Sequence, residues 1–198
     1  MDPRNKVREV DRVFRPDRRD LALLFIDPQR GVLGAMPDAV RSQVVRNMLL
    51  LIELARLMHL PVMLTEEYPK GLGRTLPEIK KKLGNLYRPF EKIAFSCCGN
   101  ESFVSQLEGL SVRHLALTGS EAHVCVLQTV MDLLARGYDV SIISDAVCSR
   151  YKSDWEVGLR LMERAGAAIT TTEILIFQLL GQAGTAEFKH MSPLIKER

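Results

Sequence analysis

Three observations in the sequence predict a three-layer α/β/α sandwich built on a six-stranded, mostly parallel, Rossmann-like sheet. From Asp20 onward, short β-type runs alternate with helical patterns. The first run, Leu21-Ala22-Leu23-Leu24-Phe25-Ile26, is apolar at every position, which suits a strand covered on both faces. Strands separated by helices pair in parallel through right-handed crossovers, and that arrangement puts helices on both sides of the sheet. The chain has 198 residues, 46% of them apolar and 26% charged, enough for one domain with a substantial core. We divide it into an N-terminal arm, 1–19, and one folded domain, 20–198.

The elements follow in order. The first strand, 21–26, ends at Asp27-Pro28. Asp38 reads as an N-cap, and Val40, Val44, Met48, Leu51, Leu54, Ala55 and Met58 recur at helical spacing until Pro61 stops the helix. Residues 61–65 form a second strand. Residues 66–90 are rich in Gly, Pro and charge, a long excursion with one helical segment near 76–83; inside a compact domain such a segment is more often functional than idle. Ile93-Ala94-Phe95 reads as a short third strand, 101–107 as a helix and 113–118 as a fourth strand. Residues 124–136 are helical and end at Gly137. Residues 139–144 make a fifth strand. Ser153 with Glu156 three residues on reads as a capping box for a helix over 154–164, closed by Gly166. Residues 168–171 are a sixth strand, and a last helix runs through Leu180.

Charge and composition exclude several functions. The chain carries 27 basic and 24 acidic side chains, and seven of the basic and five of the acidic ones lie in the first 20 residues. The remainder is close to neutral and has no footprint for a phosphate backbone, so no nucleic-acid partner is expected. No apolar run approaches the ~20 residues of a membrane span, and the N-terminal stretch has no apolar signal core. Four cysteines without a secretory signal read as reduced thiols in a cytoplasmic protein.

In open α/β sheets ligands bind outside the carboxyl ends of the strands, where strand order reverses. The residues leaving those ends are Asp27-Pro28-Gln29, Thr65-Glu66-Glu67-Tyr68, Gly119-Ser120-Glu121-Ala122-His123-Val124-Cys125 and Asp145-Ala146. Cys125 falls at the start of the helix after the fourth strand, where the helix dipole favours a thiolate, so a depressed pKa and fast alkylation at pH 6 are expected. A carboxylate (Asp27) and an ammonium (Lys92) would supply the base and the counter-charge such a nucleophile needs. His59 and His114 lie in element bodies and His190 in the tail. His123 is placed to line a pocket.

Leu24-Phe25-Ile26-Asp27-Pro28-Gln29, Glu91-Lys92-Ile93-Ala94-Phe95-Ser96 and Gly119-Ser120-Glu121-Ala122-His123-Val124-Cys125-Val126-Leu127-Gln128-Thr129 resemble, in order, the three signature segments of the isochorismatase-like cysteine hydrolases. The resemblance covers about residues 20–182. Thr65-Glu66-Glu67-Tyr68-Pro69-Lys70-Gly71-Leu72-Gly73 further resembles the eukaryotic isochorismatase-domain-containing branch. It implies a catalytic triad of Asp27, Lys92 and Cys125. It also implies a cis peptide at Ser120–Glu121 that aims the N–H groups of Glu121 and Cys125 into an oxyanion hole. Glu66, Tyr68, Leu72, Phe95 and His123 are then the expected substrate-binding residues. Metal-using relatives carry histidines after the second strand, where this chain has Glu66-Glu67-Tyr68, so no metal and no cofactor is expected. The implied activity is hydrolysis of a small amide or imide through a thioester, in a homo-oligomer. Two other readings stand beside it: a catalytically weak binding or scaffold protein of the same fold, with Glu121 crowding the site, and a nucleic-acid-processing enzyme using the basic residues between Arg4 and Arg19.

Overall fold

The structure, a computed structural model, describes residues 13–197. Residues 1–12 of the expected N-terminal arm, with Arg4, Lys6, Arg8 and Arg12 of its basic cluster, lie outside the described residues, and Arg15, Arg18 and Arg19 lie within them. In chain order the elements are β1 (Leu21–Ile26), α1 (Arg30–Leu33), α2 (Asp38–Met58), β2 (Val62–Glu67), α3 (Pro69–Leu72), α4 (Pro77–Leu83), β3 (Pro89–Lys92), α5 (Glu101–Gly109) and β4 (His114–Ser120). A π-helical turn (Ala122–Val126) follows and leads into α6 (Leu127–Ala135). β5 (Asp139–Cys148), α7 (Lys152–Ala165), β6 (Ala168–Thr170), α8 (Thr172–Leu180) and α9 (Ala186–Lys196) complete the chain.

The six strands form one wholly parallel sheet in the order β3-β2-β1-β4-β5-β6. Strand β1 shows why the sequence gives three layers. Leu21, Leu23 and Phe25 join Val44, Met48, Leu51, Leu175 and Met191 in one core, supplied by α2, α8 and α9. Ala22, Leu24 and Ile26 join Phe103, Leu107, Val130, Leu133 and Met162 in the other, supplied by α5, α6 and α7. Successive side chains alternate between faces, so an unbroken apolar strand requires helices on both. Strand order reverses between β1 and β4, and the crevice beyond their carboxyl ends is where Asp27 and the Ser120–Val126 segment emerge.

Several local expectations are corrected. The third strand is Pro89–Lys92; Ile93-Ala94-Phe95 has left the sheet, with Ile93 81% exposed. The chain departs there because Lys92 turns its side chain inward and its Nζ donates to the Phe95 carbonyl at 3.1 Å, folding the backbone over. Pro37 caps α2, and Asp38 sits in the first turn, paired with Arg41 at 2.8 Å. Helix α7 starts at Lys152 behind Tyr151 and has no side-chain cap, so the Ser153 capping box does not form. Strand β5 continues four residues past Ser144, and Asp145 there accepts from the amide and hydroxyl of Thr172, both at 2.8 Å, tying down the start of α8. Helix α9, with Pro193 inside it, was not foreseen; Thr185 caps it and Met191 is buried in the core.

Candidate active site

Strand β1 delivers Asp27 into the crevice with φ 50, a left-handed conformation that Asp tolerates better than most residues. Its carboxylate is buried. Oδ1 accepts from the Thr65 hydroxyl at 2.7 Å and Oδ2 from Lys92 Nζ at 2.8 Å. Lys92, on edge strand β3, also donates to Glu67 Oε2 at 2.7 Å. In the register β2 and β3 pair Glu67 with Lys92, so the two side chains stand side by side at the strands' ends. Strand alternation puts Thr65 and Glu67 on one face and Glu66 on the other.

Cys125 arrives from the β4 side. The Ser120–Glu121 peptide bond is cis, Ser120 Oγ donates to the Asp27 carbonyl at 3.0 Å, and Val126 N–H reaches back to the Glu121 carbonyl at 3.2 Å in the π-helical turn. Gly119, with φ 137, lies where a Cβ would collide with the Ile26 carbonyl, so β1 and β4 approach closely just before both chains enter the site. Thr129, a turn later, donates to the Cys125 carbonyl at 2.7 Å and accepts from the Cys97 amide at 3.0 Å, fixing the turn from beneath. Cys125 Sγ and carboxylate oxygens of Asp27 and Glu67 all lie within 4.8 Å of one another.

This group of three could hold a metal by its atom types. Lys92 already gives each carboxylate an ammonium at hydrogen-bonding distance, so a divalent ion would have to displace a buried salt bridge.

The electrostatics correct one expectation. Burial pushes the Cys125 thiol well above the ordinary range; the Asp27 and Glu67 carboxylates add to that, and Lys92 opposes it without reversing it. The shift runs opposite to the depression that the helix start predicts, and the sulfur stands beside the Asp27 carboxylate. Lys92 is itself raised: burial lowers it, and the Asp27 carboxylate is the strongest of the influences that lift it above the ordinary range.

The expected site residues divide. Asp27, Lys92 and Cys125 come together. Glu66 does not join them; it is fully buried on the opposite face, where it accepts from Thr75 N and Oγ1 (2.9 and 2.7 Å), Arg74 (2.9 Å) and Tyr87 OH (2.8 Å). Burial raises its pKa, and these donors together hold it below the ordinary range. The rings of Tyr68 and Phe95 are about half exposed, and Leu72 is half-buried with its carbonyl pressed on Gly31. Tyr68 also lines an open cavity of about 490 Å³ with Lys70, Ile93, Ala94 and Asn100.

His123 and Glu121 belong to a second cluster. His123 Nδ1 is 2.9 Å from Ser149 Oγ and 3.6 Å from Glu121, and its Nε2 is 3.8 Å from Asp154. Glu121 is bound by Arg150 at 2.9 Å. Thr65, Glu67 and Gln29 were not singled out from the sequence as site residues. Gln29 clamps Glu67, accepting from its amide at 2.6 Å and donating to its carbonyl at 2.8 Å. The signal was there: in a strand ending Thr65-Glu66-Glu67, the residue sharing a face with Thr65 is Glu67.

Among the described residues no helix is long and apolar enough to cross a membrane. The family model described as Isochorismatase domain matches residues 21–174. Isochorismatase family protein 1A of Dictyostelium discoideum is 39% identical over 160 residues, 79% of this chain and 78% of that one. A solved structure described as MAR1 ribonuclease from Caenorhabditis elegans superposes with a TM-score of 0.85 at 37% identity, covering 92% of each chain. YcaC from Pseudomonas aeruginosa, solved with hexane-2,5-diol and covalent acrylamide, gives a TM-score of 0.82 at 25% identity, over 92% of this chain and 96% of that one.

Proposed function

The chain belongs to the isochorismatase domain family, and from that premise we propose that it is a cysteine hydrolase that cleaves a small amide or imide C–N bond without a metal. The observation that carries this reading is Cys125 Sγ beside the Asp27 carboxylate, with Lys92 bonded to that carboxylate at 2.8 Å. Asp27 accepts the thiol proton as the sulfur attacks the substrate carbonyl. The backbone N–H groups of Glu121 and Cys125 receive the oxyanion. Asp27 returns the proton to the leaving amine, which departs and leaves a thioester. Asp27 then takes a proton from water, whose oxygen attacks the thioester and frees the acid and the thiol.

A raised resting pKa fits this order of events, because the proton moves only when a carbonyl is in place to be attacked. The covalent acrylamide on the P. aeruginosa relative supports testing the same addition here. The decisive experiment screens small amides and ureides against wild type, Cys125→Ala and Asp27→Asn, with mass spectrometry for acyl or acrylamide adducts. Turnover lost in both variants, with the adduct on Cys125, supports the reading; turnover that survives Cys125→Ala overturns it.

The description of the C. elegans structure as a ribonuclease favours one further reading, RNA as substrate. Cleavage of RNA by wild type that disappears in Cys125→Ala would replace the amide. We also propose that the chain works as a homo-oligomer, on the strength of Ile174 and Phe177 exposed on one face of α8; sedimentation of the purified protein tests it.

A further inference from the structure

We propose that Glu67 is a specificity-determining carboxylate, admitting substrates that carry a cationic or N–H-rich group beside the scissile carbonyl and rejecting those that carry an anion there. The inference rests on the cysteine-hydrolase reading and deepens it.

Two carboxylates, Asp27 and Glu67, share a single ammonium, Lys92, at 2.8 and 2.7 Å. Around Cys125, two carboxylates therefore stand against one ammonium. The side chains of Asp27 and Lys92 are each 1% exposed, whereas that of Glu67 is 10% exposed. Of the three ionic side chains beside the sulfur, that of Glu67 therefore keeps the most open surface. Its carboxylate lies within 4.8 Å of Sγ, near enough to meet a group carried beside a carbonyl under attack. Gln29 holds the Glu67 backbone at its amide and its carbonyl, and Lys92 holds the carboxylate itself at 2.7 Å, which keeps it beside the sulfur. At such a distance, in a crevice mostly shielded from water, one unit charge discriminates strongly between ligands of opposite sign.

The test uses three methanethiosulfonates of similar size: a trimethylammonium, a neutral and a sulfonate reagent. In each the Cys125 thiolate attacks the thiol sulfur of the reagent, a mixed disulfide forms, methanesulfinate leaves, and the cysteine proton passes to buffer. The rate is read on the Cys125 peptide by mass spectrometry, which separates it from Cys97, Cys98 and Cys148. The ratio of cationic to anionic rates cancels any general change in thiol pKa. In the folded wild type that ratio should exceed the ratio for free cysteine by about tenfold or more. It should collapse toward the free value in Glu67→Gln and persist in Glu67→Asp, which keeps the charge. A wild-type ratio equal to that of free cysteine, or one unchanged in Glu67→Gln, overturns the proposal while leaving Cys125 a nucleophile. A Cys125 that reacts with none of the three in the folded protein overturns this proposal and the hydrolase reading together.

Discussion

Two polar clusters flank Cys125, and they are built on opposite principles. On the β1–β3 side, Asp27, Glu67 and Lys92 are almost wholly removed from water and bonded to one another, with Thr65 and Gln29 behind them. On the β4–β5 side, Glu121, His123, Arg150 and Asp154 make looser contacts of 2.9 to 3.8 Å at a half-open surface. Charge buried at a cost of desolvation persists only where its partners are fixed, whereas charge at the surface is held by little and contributes little. The first cluster therefore has the character of chemical machinery and the second that of a rim.

The sharpest way to break that contrast is catalytic. Cys125→Ala and Asp27→Asn should each lower kcat/KM by about a thousandfold or more on whatever amide the screen identifies. Glu121→Gln and His123→Ala should change it by no more than about threefold, since their side chains bond to Arg150, Ser149 and Asp154 rather than to Asp27, Lys92 or Cys125. A His123→Ala variant as dead as Asp27→Asn would move the machinery to the rim.

Stability separates the clusters next. Lys92→Met leaves two buried carboxylates without a cation, and such a break costs about 3–5 kcal/mol. Arg150→Ala removes an exposed partner and should cost about 1 kcal/mol or less. Urea unfolding midpoints of the two variants measure both. Similar losses in the two would mean that burial does not distinguish the clusters energetically.

The contrast also explains what was legible in the sequence. Parallel order, both cores and the arrival of Asp27 and Cys125 at one crevice followed from strand-end residues whose neighbours are set by topology; Lys92, read as preceding the third strand, joined them through the family resemblance. What failed was parity and anchoring. Glu66 and Glu67 are adjacent and chemically alike, and only the alternation of β2 decides which one faces Lys92. Ile93-Ala94-Phe95 looks like a strand by composition, but a hydrogen bond from Lys92 to the Phe95 carbonyl pulls it out of the sheet. The helix position and the Lys92 ammonium predict a depressed thiol pKa, whereas burial with two nearby carboxylates raises it. Each miss concerns a side chain's direction or its surroundings, which local pattern does not carry.

Between the clusters lies the seam where β1 and β4 touch, and Gly119 tests it. Its positive φ and the Ile26 carbonyl in the path of a Cβ leave no room for Ala. Gly119→Ala should destabilise by about 2 kcal/mol and lower turnover as well, because it pushes Asp27 and Ser120 apart. Loss of stability with turnover intact at low temperature would show that the seam supports the fold without positioning the chemistry.

A pH series asks whether the clusters differ at all beyond their polar surfaces. Each has a buried thiol behind it, Cys97 on the first side and Cys148 on the second, and burial pushes both up to about 12. The neighbours differ: Asp27 raises and Lys92 lowers Cys97, while Glu121 raises Cys148. If burial dominates, each folded thiol keeps its proton from the ordinary thiol range near 8.5 up to about 12, while the unfolded chain has already released it. The folded state then binds more protons, so stability is complete below that range and falls as pH rises through it, by about 1.4 kcal/mol per pH unit for each thiol. Urea unfolding between pH 9 and 11 should show the slope, and Cys97→Ala and Cys148→Ala should each flatten it by the same single proton. A slope that responds to Cys97→Ala alone would mean that the ion cluster, rather than burial shared by both sides, holds that proton in place.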